Sequence, residues 1–337
     1  MKKTVILFLV SLLICISCSQ KTDKSSALDE TAQDSVSVEK EEAKPKKIAP
    51  EDIEIEKKLL YDQYTLEDTY PYKDTTRSFQ WDKIKERLAL LESIQSVPVR
   101  WGILQNYKNM NGEAPLIKTW RRNEYKRVSD TLVVERYQSV PLFSPNDSVT
   151  AERYGRDGSL VKLTNDTTAK FIKISTVNFK GDWLVPRKYV KAIADTVVFK
   201  KAVFVDVTNQ NIATLEKVDS KWLVRSMNPA TTGRHHPPHQ QETPLGMFVV
   251  QEKKVKMFFL VDGTSKIGGF APNASRFTNG GYLHGVPVNE PRKSLIEYSA
   301  SLGTTPRSHM CVRNATSHAK FIYDWAPVKE TIVFVYN

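Results

Sequence analysis

The sequence predicts a mainly β protein with α+β elements, and three observations carry that prediction. Short apolar runs bounded by turn residues recur from about residue 134 onward, the pattern of many short strands. Only one long segment, near residue 81, has the apolar spacing of an amphipathic helix. Residues 202–226 then read as three strands in an antiparallel meander, with Asn209-Gln210-Asn211 as the first turn.

In chain order, the first element is a leader, 1–17. Lys2 and Lys3 precede an apolar stretch over 5–16 that is too short to span a bilayer, as in a signal peptide. Cys15-Ile16-Ser17-Cys18-Ser19 resembles the lipobox of bacterial lipoproteins, which implies lipidation at Cys18. The implied location is the periplasmic face of a bacterial membrane, the outer membrane in preference to the inner, with the lipid as the membrane contact. Residues 18–57 are rich in Lys, Glu, Asp, Ser and Ala and contain no aromatic residue. They are expected to be a disordered tether.

The chain has 49 Lys and Arg against 38 Asp and Glu, a net charge of +11. The segment 18–57 is itself net acidic, so the basic excess belongs to the body and suits an acidic partner. No nucleic-acid motif is present and export argues against nucleic acid; anionic lipid and a carboxylate-bearing polymer remain as partner classes.

Residues 58–133 are read as a partly helical N-terminal α/β region, with Trp81, Ile84, Leu88 and Leu91 on the apolar stripe of its helix. Residues 134–198 form the next unit, with turns at Ser144-Pro145-Asn146-Asp147, Asp157-Gly158 and Lys180-Gly181-Asp182. The runs Val140-Pro141-Leu142-Phe143, Leu160-Val161-Lys162-Leu163, Phe171-Ile172-Lys173-Ile174 and Gly181-Asp182-Trp183-Leu184-Val185 loosely resemble a small bacterial SH3-like β-barrel. Trp183 and Tyr189 are expected to fill its core rather than to form a groove.

The last unit, 199–337, holds the chemistry. Three cysteines occur in the chain; Cys15 and Cys18 fall in or at the end of the leader, so Cys311 is the one thiol left. An exported chain normally pairs its cysteines or omits them. An unpaired Cys with His309 two residues away and His284 upstream therefore reads as a nucleophile, because an imidazole takes the thiol proton or stabilises the thiolate. If the segment is extended, His309 and Cys311 share a face.

Thr243-Pro244-Leu245-Gly246-Met247-Phe248, Tyr282-Leu283-His284-Gly285 and Ser308-His309-Met310-Cys311-Val312-Arg313 resemble, in that order, three motifs of the L,D-transpeptidase (YkuD-like) catalytic domain. The resemblance implies a β-sandwich or mixed-sheet catalytic domain and a peptidoglycan L,D-transpeptidase forming 3–3 crosslinks through a Cys311 thioester. It assigns the base to His284, support to Ser308 and His309, an oxyanion hole to the backbone N–H groups of Met310 and Cys311, and substrate binding to Tyr282, Gly285 and Arg313. Implied partners are peptidoglycan stem peptides, with a carbapenem as covalent inhibitor.

The acceptor is left open: a stem amine makes a crosslinking enzyme, water an L,D-carboxypeptidase, a protein an anchoring enzyme. A further alternative is a non-catalytic peptidoglycan-binding lipoprotein. Met310 stands where the motif has glycine, and the reading preferred here is a backbone at 310 open to any L-residue. Residues 286–307, with Pro287, Arg292, Lys293 and Pro306, are expected to form a lid with a basic face. Phe321 and Trp325 are expected on the buried face of a short helix after Thr316.

No cofactor is implied. Pro237 and Pro238 deny His235 and His239 a shared helix face, so no metal site is assigned.

If Cys18 carries the anchor, Cys18→Ala releases the protein from washed membranes; a variant that stays in the membrane fraction has another anchor.

Overall fold

Lys201–Asp206 sends Ala202 and Phe204 into one core and Val203 and Val205 into another. Thr331–Tyr336 does the same with Ile332 and Phe334 against Val333 and Val335. Period-two alternation with both faces covered explains why these strands read as unbroken apolar runs. They pair in parallel at the centre of a six-stranded mixed sheet ordered Ile55–Lys57, Lys221–Pro229, Asn211–Val218, Lys201–Asp206, Thr331–Tyr336, Gly246–Val249. The meander expected over 202–226 forms, with its strands slightly longer than read.

A computed structural model describes residues 45–165 and 167–337, all within one unit, Ala43–Asn337. The leader, Cys18 and the tether up to residue 44 lie outside the described residues. The tether reading fails over 45–57. Ile53 is 3% exposed, and Ile55–Lys57 pairs in parallel with Lys221–Pro229, Ile55 opposite Trp222. Average composition hid Ile48, Ile53 and Ile55, which the main core takes in.

The helix Trp81–Gln95 covers one face of the six-stranded sheet, with Ile84, Leu88 and Leu91 fully buried as the stripe predicts. The opposite face packs on a second sheet, ordered Glu252–Leu260, Ile267–Thr278, Gly281–His284, Val312–Arg313, through Phe277, Leu283 and Val312. This C-terminal region is therefore a sandwich of two mixed sheets. Helix Thr316–Trp325 joins that core with Ala319, Ile322 and Trp325. Phe321 packs partly buried against the same core and stacks on Trp325, at the edge of the expected face.

A third, antiparallel sheet runs Asp182–Pro186, Phe171–Thr176, Leu160–Leu163, Trp101–Leu104, Val190–Ala192. Trp101–Leu104 comes from the region assigned to 58–133, so the division at 133/134 runs through one sheet. Trp183 and Tyr189 lie in the core of this sheet.

Its contact with the sandwich includes a buried ion pair. Asp157, wholly buried, accepts from Arg276 Nη1 and from Gln251 Nε2 at 3.0 Å on one oxygen, and from the Asn106 and Tyr107 N–H groups at 2.8 and 3.1 Å on the other. Gly158 follows with φ +87, and a Cβ there would lie 1.8 Å from the Phe277 carbonyl oxygen. Only glycine permits both that turn and that approach.

Candidate functional site

The parallel pairing of Gly281–His284 with Val312–Arg313, Leu283 opposite Val312 and His284 opposite Arg313, decides which side chains meet. Alternation sends Leu283 and Val312 into the sandwich core. It sends Tyr282 and His284 of one strand, and Cys311 and Arg313 of the next, to the other face. That face is the floor of a cavity of about 930 Å³, which all four residues line.

Cys311 is 7% exposed and packs with Ala274, Tyr282 and Met257. Its Sγ donates to the Gly280 carbonyl at 3.3 Å. Burial pushes the thiol up to about 11, against smaller lowering by the Tyr282 N–H and the Arg313 charge. His284 is 3% exposed. Burial brings it down to about 4, opposed by its bond to Gly285 and aided by Arg313. Its Nδ1 lies 2.6 Å from the Gly285 carbonyl, which only accepts, so Nδ1 carries the proton and Nε2 keeps a lone pair. At neutral pH the floor holds a neutral thiol and a neutral imidazole whose Nε2 has a free lone pair. Arg313 makes no ion pair among the described residues, and its buried Nε has no partner. A guanidinium with free donors facing a cavity suits a carboxylate.

The turn that presents Cys311 differs from the sequence reading. Met310 has φ +77, the left-handed region that favours glycine and costs an L-residue roughly 1–2 kcal/mol. The position thus keeps a glycine conformation with a methionine in it, and the expectation of an ordinary backbone there is overturned. Its N–H donates to the Gln241 carbonyl at 2.8 Å, so it is not free for an oxyanion. The Cys311 N–H has no partner among the described residues and remains available.

Two side chains hold this turn besides the Gln241 carbonyl. Thr243 Oγ1 donates to the Met310 carbonyl at 2.8 Å and accepts from the Gly233 N–H at 2.8 Å. Ser308 Oγ donates to the Cys311 carbonyl. Ser308 is thus tied to backbone rather than to the thiol. The left-handed residue also breaks the extended relation of His309 to Cys311. His309 is exposed at the cavity rim, its Nε2 2.9 Å from the Asp262 carboxylate.

Gly285 is not among the residues that line the cavity, and it allows a close approach of its neighbours. A Cβ there would lie 2.8 Å from Thr316 Oγ1 and 2.9 Å from Pro272 Cγ. Tyr282, 1% exposed, donates its hydroxyl to Tyr107 at 3.1 Å. Residues 286–307 form a cavity wall through Val286, Pro287, Ile296, Tyr298 and Leu302. The basic face expected of them is absent from the cavity lining: Lys293 pairs with Glu290, and Arg292 Nε donates to Ser294. The facing wall is the 252–278 hairpin, through Met257, Phe258, Leu260 and Asp262.

His235 bonds Glu242 and Glu124 at 2.5 and 2.8 Å, and Glu242 chiefly raises its pKa. Sequence reasoning missed Gln241 and the structural task of Thr243. The Thr-Pro segment was visible; its contact with a turn far along the chain was not.

Residues 200–335 match the family model described as YkuD, the L,D-transpeptidase catalytic domain. A fused Zn-dependent amidase/peptidase/peptidoglycan-binding domain-containing protein from Clostridium acetobutylicum is similar at 20% identity and a TM-score of 0.30, over 42% of this chain and 53% of that one. The chain thus spans about half the length of that relative. An L,D-transpeptidase from Mycobacterium smegmatis is similar at 17% identity and 0.34, over 52% and 80%. L,D-transpeptidase 3 from Mycobacterium tuberculosis, solved with a faropenem-derived adduct, is similar at 15% and 0.34, over 54% and 93%. Among curated proteins there is no match.

Thr243→Val keeps the side-chain shape, leaves the buried Gly233 N–H without an acceptor and frees the Met310 carbonyl. It is expected to cost about 1–3 kcal/mol in denaturant unfolding and to slow acylation of Cys311. Unchanged stability removes Thr243 from the account of the turn.

Proposed function

We propose that this protein is a cysteine-dependent L,D-transpeptidase acting on peptidoglycan stem peptides. The observation that carries the proposal is the meeting of Cys311, a neutral His284 and an unpaired Arg313 on the floor of one cavity, within the segment that matches the catalytic-domain family.

In this reading Sγ attacks the carbonyl carbon of the third residue of a tetrapeptide stem, and its proton passes to His284 Nε2. The Cys311 N–H faces the developing oxyanion. The C–N bond to the terminal D-Ala then breaks, and its amine leaves with the proton from His284. The stem is held as a thioester. The amine of a second stem gives up a proton to His284, attacks the thioester and restores the thiol, leaving a 3–3 crosslink. Water in the same step makes the protein an L,D-carboxypeptidase; an amine on a protein makes it an anchoring enzyme. Arg313 holds the stem's terminal carboxylate. A carbapenem, which resembles the acyl donor, acylates the same sulfur. Lipidation at Cys18 would keep this chemistry at a membrane facing the cell wall.

One observation favours a non-catalytic, peptidoglycan-binding role: the Met310 N–H is already bonded to Gln241, which leaves one oxyanion donor where the resemblance implies two. The loss of one donor is worth roughly 3 kcal/mol, about a hundredfold in rate, which slows an enzyme without abolishing it.

Incubation with tetrapeptide stems, read by mass spectrometry of the products, separates the readings. The native protein is expected to release D-Ala and form crosslinked dimers. Cys311→Ala should lower both by about a thousandfold or more while remaining folded. Full product from Cys311→Ala refutes the mechanism, and stem binding without product by the native protein selects the binding role.

A further inference from the structure

The cavity above Cys311 is not built from the catalytic region alone. Tyr107 and Lys108 also line it. They lie outside the family match at 200–335, in the region joined to the third sheet. Asp157 fixes them there, since its carboxylate accepts the Asn106 and Tyr107 N–H groups while Arg276 of the sandwich holds its other oxygen. The Arg276 guanidinium also lies 4.3 Å from the centre of the Tyr107 ring.

The hydrogen-bond direction at Tyr107 is set by chemistry. Lys254 Nζ reaches the Tyr282 hydroxyl at 3.4 Å, and an ammonium can only donate. Tyr282 therefore accepts from Lys254 and donates to Tyr107 at 3.1 Å. The Tyr107 hydroxyl has no other partner among the described residues, so its own proton is free for a ligand. Beside it, Lys108 Nζ lies 5.5 Å from the same ring and makes no ion pair among the described residues. Its backbone has φ +52, with the N–H held by Gln138 at 2.9 Å. Tyr107 is half-buried and Lys108 exposed, so their free hydroxyl donor and free ammonium, side by side on one cavity wall, suit an anionic acceptor that enters the cavity.

We propose that Tyr107 and Lys108 form a second carboxylate subsite in the cavity that Arg313 also lines, through which the third-sheet region takes part in substrate selection. The proposal rests on the transpeptidase reading for its ligand. A tetrapeptide stem carries carboxylates besides the terminal one, on its second residue and, where the third is a diamino diacid, on that side chain. Both present the same chemistry to the subsite.

The test titrates synthetic stems into Cys311→Ala protein at low salt by calorimetry, with Lys108→Gln or Tyr107→Phe added in turn. Three stems are compared: all carboxylates free, the second residue amidated, and the third residue amidated. Each added variant is expected to weaken the free stem about fivefold and to leave unaffected the stem whose subsite carboxylate is amidated, which identifies the source. Tyr107→Phe keeps the ring under Arg276, so loss of docking does not imitate the effect. Equal losses for all three stems, no losses, or no binding to Cys311→Ala overturn the subsite. D-Ala release on the native background keeps the two claims apart. Release indifferent to Lys108 sinks the subsite alone, and Lys108-dependent binding without release sinks the catalytic reading alone.

Discussion

The left-handed turn at Met310 is held at both of its peptide groups, and the candidate site depends on it. The N–H goes to the Gln241 carbonyl and the carbonyl to Thr243 Oγ1, while Ser308 ties the Cys311 carbonyl. These bonds offset a backbone cost of roughly 1–2 kcal/mol and direct the next residue, Cys311, onto the cavity floor. The same turn sends His309 outward to Asp262. A straight strand would have kept His309 beside the thiol. The turn separates a buried pair, Cys311 and His284, from an exposed histidine at the rim.

Burial then sets the charge state. Thiol and imidazole are both neutral at rest, one pushed to about 11 and the other to about 4. The cation nearest to both is Arg313, which lowers each of them. A low-polarity floor with one poorly satisfied guanidinium favours the arrival of a negative group and the formation of thiolate during attack rather than before it. Tyr107 extends the same logic: a donor chain from Lys254 through Tyr282 ends in a proton with no acceptor among the described residues.

Much of this was legible from local patterns. The stripe of Trp81, Ile84, Leu88 and Leu91 gave the helix, the meander over 202–226 formed, and the segments singled out around His284 and Cys311 line one cavity. What sequence did not carry was long-range pairing. Trp101–Leu104 joins strands far along the chain, and nothing local marks that register. Ile53 and Ile55 sit in a charged stretch whose average composition reads as disorder, yet a strand edge and a core receive them. The conformation at Met310 was misread for a related reason. Side-chain identity argued for ordinary backbone, but the constraint comes from Gln241 and Thr243, whose proximity only the fold creates.

The pH dependence of Cys311 acylation by a carbapenem, followed by intact-protein mass, tests the central claim that a buried neutral thiol–imidazole pair carries the chemistry. His284 is protonated only below about 4 and Cys311 is deprotonated only near 11. Between those limits the neutral pair persists and the proton moves during attack. The account predicts one adduct per chain, absent in Cys311→Ala, at a rate nearly flat from about pH 5 to 9 and falling below about pH 4. A rate that climbs about tenfold per pH unit across that range would mean that free thiolate acts without His284; no adduct at any pH would contradict the account altogether.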